Sequence, residues 1–314
     1  MDITVFGIGG IGGYVAGKLG SLIEWQGEIK TSGPKLDSLS LIARGSHLQA
    51  IREKGLSFID SGGHEHKVHP TAAADDFAEA AGSDVVFLCV KGYDLEKAVE
   101  TIAPHVKDDT VIIPLLNGAD IYERVRQELD RGVVLPSAIY ISSAIIEPGK
   151  VEHKGGKGLV ILGKGIGEDA VKPEGILSIF EDAAVPFEWH EDPFPSIWSK
   201  YLFISPFSLI TAVSGKTFGG VMSEPKLKTD VRRMIEEVDA VARAKGVALP
   251  EDAVDATLKK AESFPPETKT SFQRDVEAGK KRDERDIFGG TVLRLGAELG
   301  VDTPVVKEYM ESLP

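Results

Sequence analysis

One ammonium stands in an apolar segment: "FPSIWSKYLFISPFSLITA", residues 194–212, carries Lys200 as its only charge. A lysine on a helix can lay its methylenes along apolar surface and keep its head in water. The alternative is that the head sits in a cleft and moves a proton. A second group of residues has a chemistry of its own. Gly7, Gly9 and Gly12 form a G-x-G-x-x-G, with Ile8, Gly10 and Ile11 between them, directly after the apolar run "DITVF". Such glycines permit a tight turn, bring backbone close to a pyrophosphate and let helix and strand pack closely. The helix that follows turns its positive end to the phosphates.

The residue that closes the next apolar run selects the nucleotide. "SLSLIARG" ends on Arg44, with no neighbouring Asp or Glu to hold a ribose 2′-hydroxyl. A guanidinium matches a 2′-phosphate through two hydrogen bonds. The expected cofactor is therefore NADP(H), held by Gly7, Gly9, Gly10, Ile11, Gly12 and Arg44. Arg44 lies 32 residues past Gly12, against about 20 in the usual spacing. The insert "EWQGEIKTSGPKLDS" absorbs the difference as a surface extension.

These residues need elements to hold them. In the first half, runs such as "DVVFLCVK" and "TVIIPLLNG" alternate with helical patterns such as "LEKAVETIAPHV". Near-continuous Val/Ile/Leu runs between helices indicate a parallel sheet covered on both faces. "GVVLPSAIYISSAIIEPGKVEHKGGKGLVILGKG" adds strands joined by Gly-rich turns. "HEDPFPSIW" reads as a linker, and beyond it the strand signals vanish. "KLKTDVRRMIEEVDAVARAKG" places Val231, Met234, Ile235, Val238, Val241 and Ala242 at helical spacing, with Gly246 as a stop. The expected fold is α/β: a Rossmann-type doubly wound domain over 1–190 and an all-helical domain over 191–314.

Composition narrows the function. The 314 residues carry 36 Lys+Arg against 49 Asp+Glu, a formal net charge of -13. That disfavours non-specific nucleic-acid binding and anionic membrane surfaces. No apolar run reaches the length of a membrane span and no signal peptide opens the chain, so the expected location is cytoplasmic. The single cysteine, Cys89, excludes an internal disulfide and reads as a buried strand thiol. His64, His66 and His69 cluster in "GHEHKVH", but nothing completes a ligand set. They read as surface histidines, with no metal site expected.

The pieces "VFGIGGIGGYVAGKL", "LIARGSHLQAIREKGL", "VVFLCVKGYDLEKAV", "IIPLLNGAD", "EPGKVEHKG", "IWSKYLFI" and "TSFQRDVEAGK" stand in one order over nearly the whole chain. In this the chain resembles the ketopantoate reductases (2-dehydropantoate 2-reductases). The resemblance implies NADPH-dependent reduction of a 2-oxo acid to a 2-hydroxy acid, in the family's case ketopantoate to pantoate in pantothenate biosynthesis. It makes Lys200 the general acid. It places Lys91 and Asn117 near cofactor and substrate, and Ser271 on the substrate carboxylate. Ser271 also reads as a helix N-cap. The family's acidic residue falls on Asp283 without a gap, or on Glu284 with one. The family's asparagines four and eight positions beyond the lysine are replaced by Ile204 and Ser208, and Asp94 stands where Gln is frequent. Ser208 is retained as a substrate-binding candidate, and these replacements leave the particular 2-oxo acid open. The alternatives are another 2-hydroxy acid or opine-type dehydrogenase and a non-catalytic NADP(H)-binding sensor. A monomer and a homodimer are both compatible with the chain.

Overall fold

The computed structural model describes residues 1–24, 33–166 and 173–314. It divides into two compact units: Met1–Leu116 with Ile121–Pro193, and Asn117–Asp120 with Phe194–Pro314. The first unit ends three residues later than the expected domain, and the four-residue excursion into the second unit was not expected.

In the first unit, β1 (Asp2–Phe6), β2 (Ser38–Ile42), β5 (Ala72–Ala74), β6 (Val85–Leu88), β7 (Val111–Pro114) and β8 (Val133–Val134) form a parallel sheet in the order β5-β2-β1-β6-β7-β8. Val85–Leu88 is buried throughout, as a strand covered on both faces must be. Helices α1 (Gly10–Glu24), α2 (Gly45–Lys54), α3 (Leu95–Ile102), α4 (Ile121–Glu128) and α5 (Glu174–Asp182) belong to this unit. The strand order reverses between β1 and β6, and ligands of such sheets lie beyond the strand C-termini at that reversal. The insert after α1 falls largely on residues 25–32, outside the described residues.

The remaining strands make a second sheet, which the sequence does not separate from the first. It runs β11 (Phe187–His190), β10 (Lys150–Gly163), β3 (Leu56–Ile59), β4 (Glu65–Val68), with β9 (Ser137–Glu147) antiparallel to β10. Helix α1 packs on it through glycines. A Cβ on Gly13 would stand 2.5 Å from Val151, one on Gly17 2.3 Å from Phe58, and one on Gly20 2.2 Å from Val68. These positions recur every three to four residues, so one face of the helix is stripped to backbone where the sheet approaches. Gly17→Leu puts a better helix former into that face and should still destabilise the protein by about 3 kcal/mol through overpacking. Urea unfolding measures this, and an unchanged midpoint would contradict the packing.

The second unit is helical: α6 (Phe194–Ser214), α7 (Phe218–Ser223), α8 (Pro225–Ala244), α9 (Ala253–Glu262), α10 (Ser271–Glu277), α11 (Thr291–Leu299) and α12 (Pro304–Glu311), with a π-helical turn at Asp286–Gly290 before α11. Helix α6 is apolar on every side and buried over most of its length, as a central helix must be. Pro206 lies inside it and removes one main-chain donor. Side chains tie it to the π turn: Tyr201 donates to the Ile287 carbonyl at 2.7 Å and Ser205 to that of Phe288 at 2.6 Å. The six periodic residues expected to face inward from α8 are all buried. No helix of the described residues is long and apolar enough to cross a membrane.

Candidate active site

At the C-terminal end of β1 the chain turns at Gly7, whose φ of +97° favours glycine. A Cβ there would lie 2.9 Å from the backbone of Cys89 and Val90, and one on Gly12 would lie 2.1 Å from the Gly7 carbonyl. Gly10 is equally constrained, 2.2 Å from the Ser143 carbonyl. Protein packing therefore accounts for these three glycines. Gly9 differs, because nothing stands within 4 Å of where its Cβ would be. Its backbone is open at the mouth of a 15-residue helix with no acidic residue in its first turn. That is the cradle a dinucleotide pyrophosphate needs.

Arg44 follows β2 by two residues at the start of α2, with its side chain 66% exposed and thus reachable. Its guanidinium lies 3.8 Å from the Asp94 carboxylate. A pair this loose and wet contributes little energy, but it places an acid beside the cation expected to meet a phosphate. Lys91 follows β6 by three residues and precedes the short turn Gly92–Asp94, half-buried at the same end of the sheet. Cys89 is buried, and burial pushes its thiol well above the usual range. His64 and His66 both approach Asp60, at 3.4 and 3.0 Å, across the turn that Gly63 closes.

In the second unit Lys200 is 8% exposed. Its Nζ donates to Asn117 Oδ1 at 3.0 Å. Three residues after Asn117, Asp120 accepts from Arg294 at 2.8 Å and from the Thr291 hydroxyl at 3.2 Å. Burial pushes the Lys200 ammonium down to about 8, with the positive charge of Lys260 acting in the same direction and Glu284 partly opposing both. Glu284 is itself buried, 4% exposed.

The two candidates for the acidic position differ in their surroundings. Asp283 is held by Arg285, which donates to both its oxygens at 2.8–3.2 Å. It is Glu284, one residue on, whose charge reaches Lys200. The N-cap of α10 is Thr270, whose hydroxyl accepts from the Gln273 N–H at 3.0 Å. Ser271 is the exposed first residue of that helix, and the capping reading of it is overturned. Ile204 and Ser208 follow Lys200 at one-turn intervals along α6, half-buried and buried respectively. Sequence reasoning did not single out Lys260. It lies in "ATLKKAE", an ordinary basic last turn of a helix.

Residues 3–166 match the ketopantoate reductase PanE/ApbA family and residues 194–313 its C-terminal domain. A 2-dehydropantoate 2-reductase of Mesorhizobium japonicum is 29% identical, over 98% of this chain and 94% of its own length. The crystal structure of a PanE/ApbA family ketopantoate reductase from Ralstonia eutropha superposes with a TM-score of 0.86 at 27% identity, covering 100% of this chain and 97% of that one. A D-mandelate dehydrogenase structure with NADH and anilino(oxo)acetate shares the fold, with a TM-score of 0.84 at 21% identity, covering 100% and 97%. Fold and sequence together define an oxidoreductase with a nucleotide-binding parallel sheet and a helical second unit. The chain belongs to the ketopantoate reductase family.

Proposed function

We propose that the protein reduces a 2-oxo acid to the 2-hydroxy acid with NADPH, and that ketopantoate is the first substrate to test. The observation that carries this is the buried Lys200 ammonium hydrogen-bonded to Asn117 at 3.0 Å in an otherwise apolar helix. Bound NADPH supplies the hydride. The Gly7–Gly12 loop and the α1 N-terminus hold its pyrophosphate, and Arg44 holds the 2′-phosphate, with Lys91 beside them. As the keto carbon accepts hydride, its oxygen becomes an alkoxide. Lys200 stabilises that charge and gives up a proton from Nζ. Asn117 fixes the direction of Nζ, and Glu284 favours the charged form of the amine. Ser271 binds the substrate carboxylate.

The acid must be protonated to work. Activity on the 2-oxo acid should therefore be level below pH 8 and fall by about tenfold per unit above the Lys200 value of about 8. A profile that rises through pH 8–10 would make Lys200 a base in this direction and contradict the assignment.

Ile204 and Ser208 support a second reading, in which the substrate has an apolar tail instead of the hydroxyl of ketopantoate. A panel of 2-oxo acids, scored by kcat/KM with NADPH, separates the two. Preference for ketopantoate supports the biosynthetic role. Preference for acids with apolar or aromatic tails supports another 2-hydroxy acid dehydrogenase. Binding of NADPH without turnover of any acid would return the protein to a sensor.

A further inference from the structure

The hydrogen bond that aims Lys200 depends on where the main chain puts Asn117. Asn117 Oδ1 accepts from Lys200 Nζ at 3.0 Å, and among the described residues the side chain has no second hydrogen bond to orient it. The next residue, Gly118, has a φ of +133°, which other residues rarely adopt. Two residues further on, Asp120 is 5% exposed. These four residues, Asn117–Asp120, group with the helical unit although the chain on either side of them does not. Asp120 ties them to the first turn of α11. The hydroxyl of the fully buried Thr291 donates to both Asp120 oxygens at 3.2 Å, and Arg294, three residues on and on the same face, donates to one of them at 2.8 Å. A carboxylate this buried needs such partners. Arg294 also reaches Asp286 in the π turn, at 3.3 Å. The same turn receives α6, through Tyr201 and Ser205 on the Ile287 and Phe288 carbonyls. Both partners of the Asn117–Lys200 bond are therefore anchored to one frame, the π turn and the start of α11.

We propose that Arg294 is a positioning residue: through Asp120 it holds the Asn117 segment where Oδ1 meets the Lys200 ammonium. The inference rests on the reductase reading above, in which Lys200 is the proton donor, and adds to it a residue that acts through two others.

Arg294→Met keeps much of the side chain's bulk and removes its charge. In the NADPH-loaded protein it should lower kcat on the 2-oxo acid by about tenfold or more, the effect of losing one hydrogen bond to a charged group. NADPH affinity, read by fluorescence, should stay as in wild type. The alkaline fall in activity should move to lower pH, because an acceptor on the ammonium favours its charged form and losing that acceptor makes Lys200 more acidic. Charge alone predicts the reverse, since removing a cation makes a nearby ammonium less acidic. Lys260 and Glu284, whose charges reach Lys200, are untouched. Asn117→Ala should show the same two changes, and the double variant should lose no more kcat than Asn117→Ala alone. Thr291→Val leaves the ion pair in place and should give a smaller loss in the same direction; it carries the test if Arg294→Met does not fold. An alkaline limb that stays or moves up, or losses that multiply in the double variant, would overturn the proposal. Turnover of no 2-oxo acid would overturn the reductase reading instead. The titration of Lys200 Nζ, followed by NMR with isotope-labelled lysine, then decides the inference by itself. A shift to lower pH in both Arg294→Met and Asn117→Ala supports it, and an unmoved value in Arg294→Met overturns it.

Discussion

Lys200→Ala should bind NADPH as the wild type does and lose about 10²–10⁴-fold in kcat/KM for the 2-oxo acid, the range a positioned proton donor commonly supplies. The reasoning is geometric. Nζ is fixed by Asn117 at 3.0 Å, and burial with Lys260 holds its acidity near 8. Water can replace a proton donor, but not one with that orientation and acidity. Lys200→Arg should not rescue, because a guanidinium stays protonated. The loss must be separated from unfolding, since truncating a buried side chain leaves a cavity. An unshifted thermal midpoint with NADPH present makes that separation. Wild-type activity in the alanine variant would return Lys200 to a lysine that merely lays its stem along apolar surface.

The second large effect concerns the choice of cofactor. Arg44→Ala should cost about 10–100-fold in kcat/KM for NADPH and little for NADH, because a charge-assisted bidentate contact to the 2′-phosphate accounts for about 1.5–3 kcal/mol. Arg44 is the exposed cation at the end of β2, and Asp94 stands 3.8 Å away. Replacing Asp94 by Gln, which removes the acid's charge, should strengthen NADPH relative to NADH. Equal losses with both cofactors would place Arg44 outside the 2′-phosphate site.

The residues legible in the sequence are those whose reasons are local. Gly7 and Gly12 are demanded by one turn, and a single strand-turn-helix pattern reveals them. Lys200 is visible as a charge where none belongs. Gly13, Gly17 and Gly20 are not legible in the same way, because their reason is a sheet whose strands come from residues 56–68 and 137–190. Likewise the Asn117–Lys200 bond joins residues 83 apart; the family resemblance gave each residue a role without joining them. The choice between Asp283 and Glu284 has no local answer either. Arg285 engages Asp283, Glu284 is buried, and both lie in a run of seven charged residues, Lys280–Asp286, with no sign of which one approaches Lys200. Lys260 was invisible for the opposite reason, since its surroundings look like any solvated helix end and the ring beneath it comes from another helix.

The most direct test of the account is NADPH oxidation by the purified wild-type protein with ketopantoate and a panel of other 2-oxo acids, with the product identified by mass spectrometry. The account predicts that one of these acids drives NADPH consumption and appears as its 2-hydroxy acid in equal amount. NADPH that binds but is consumed with none of them would contradict it.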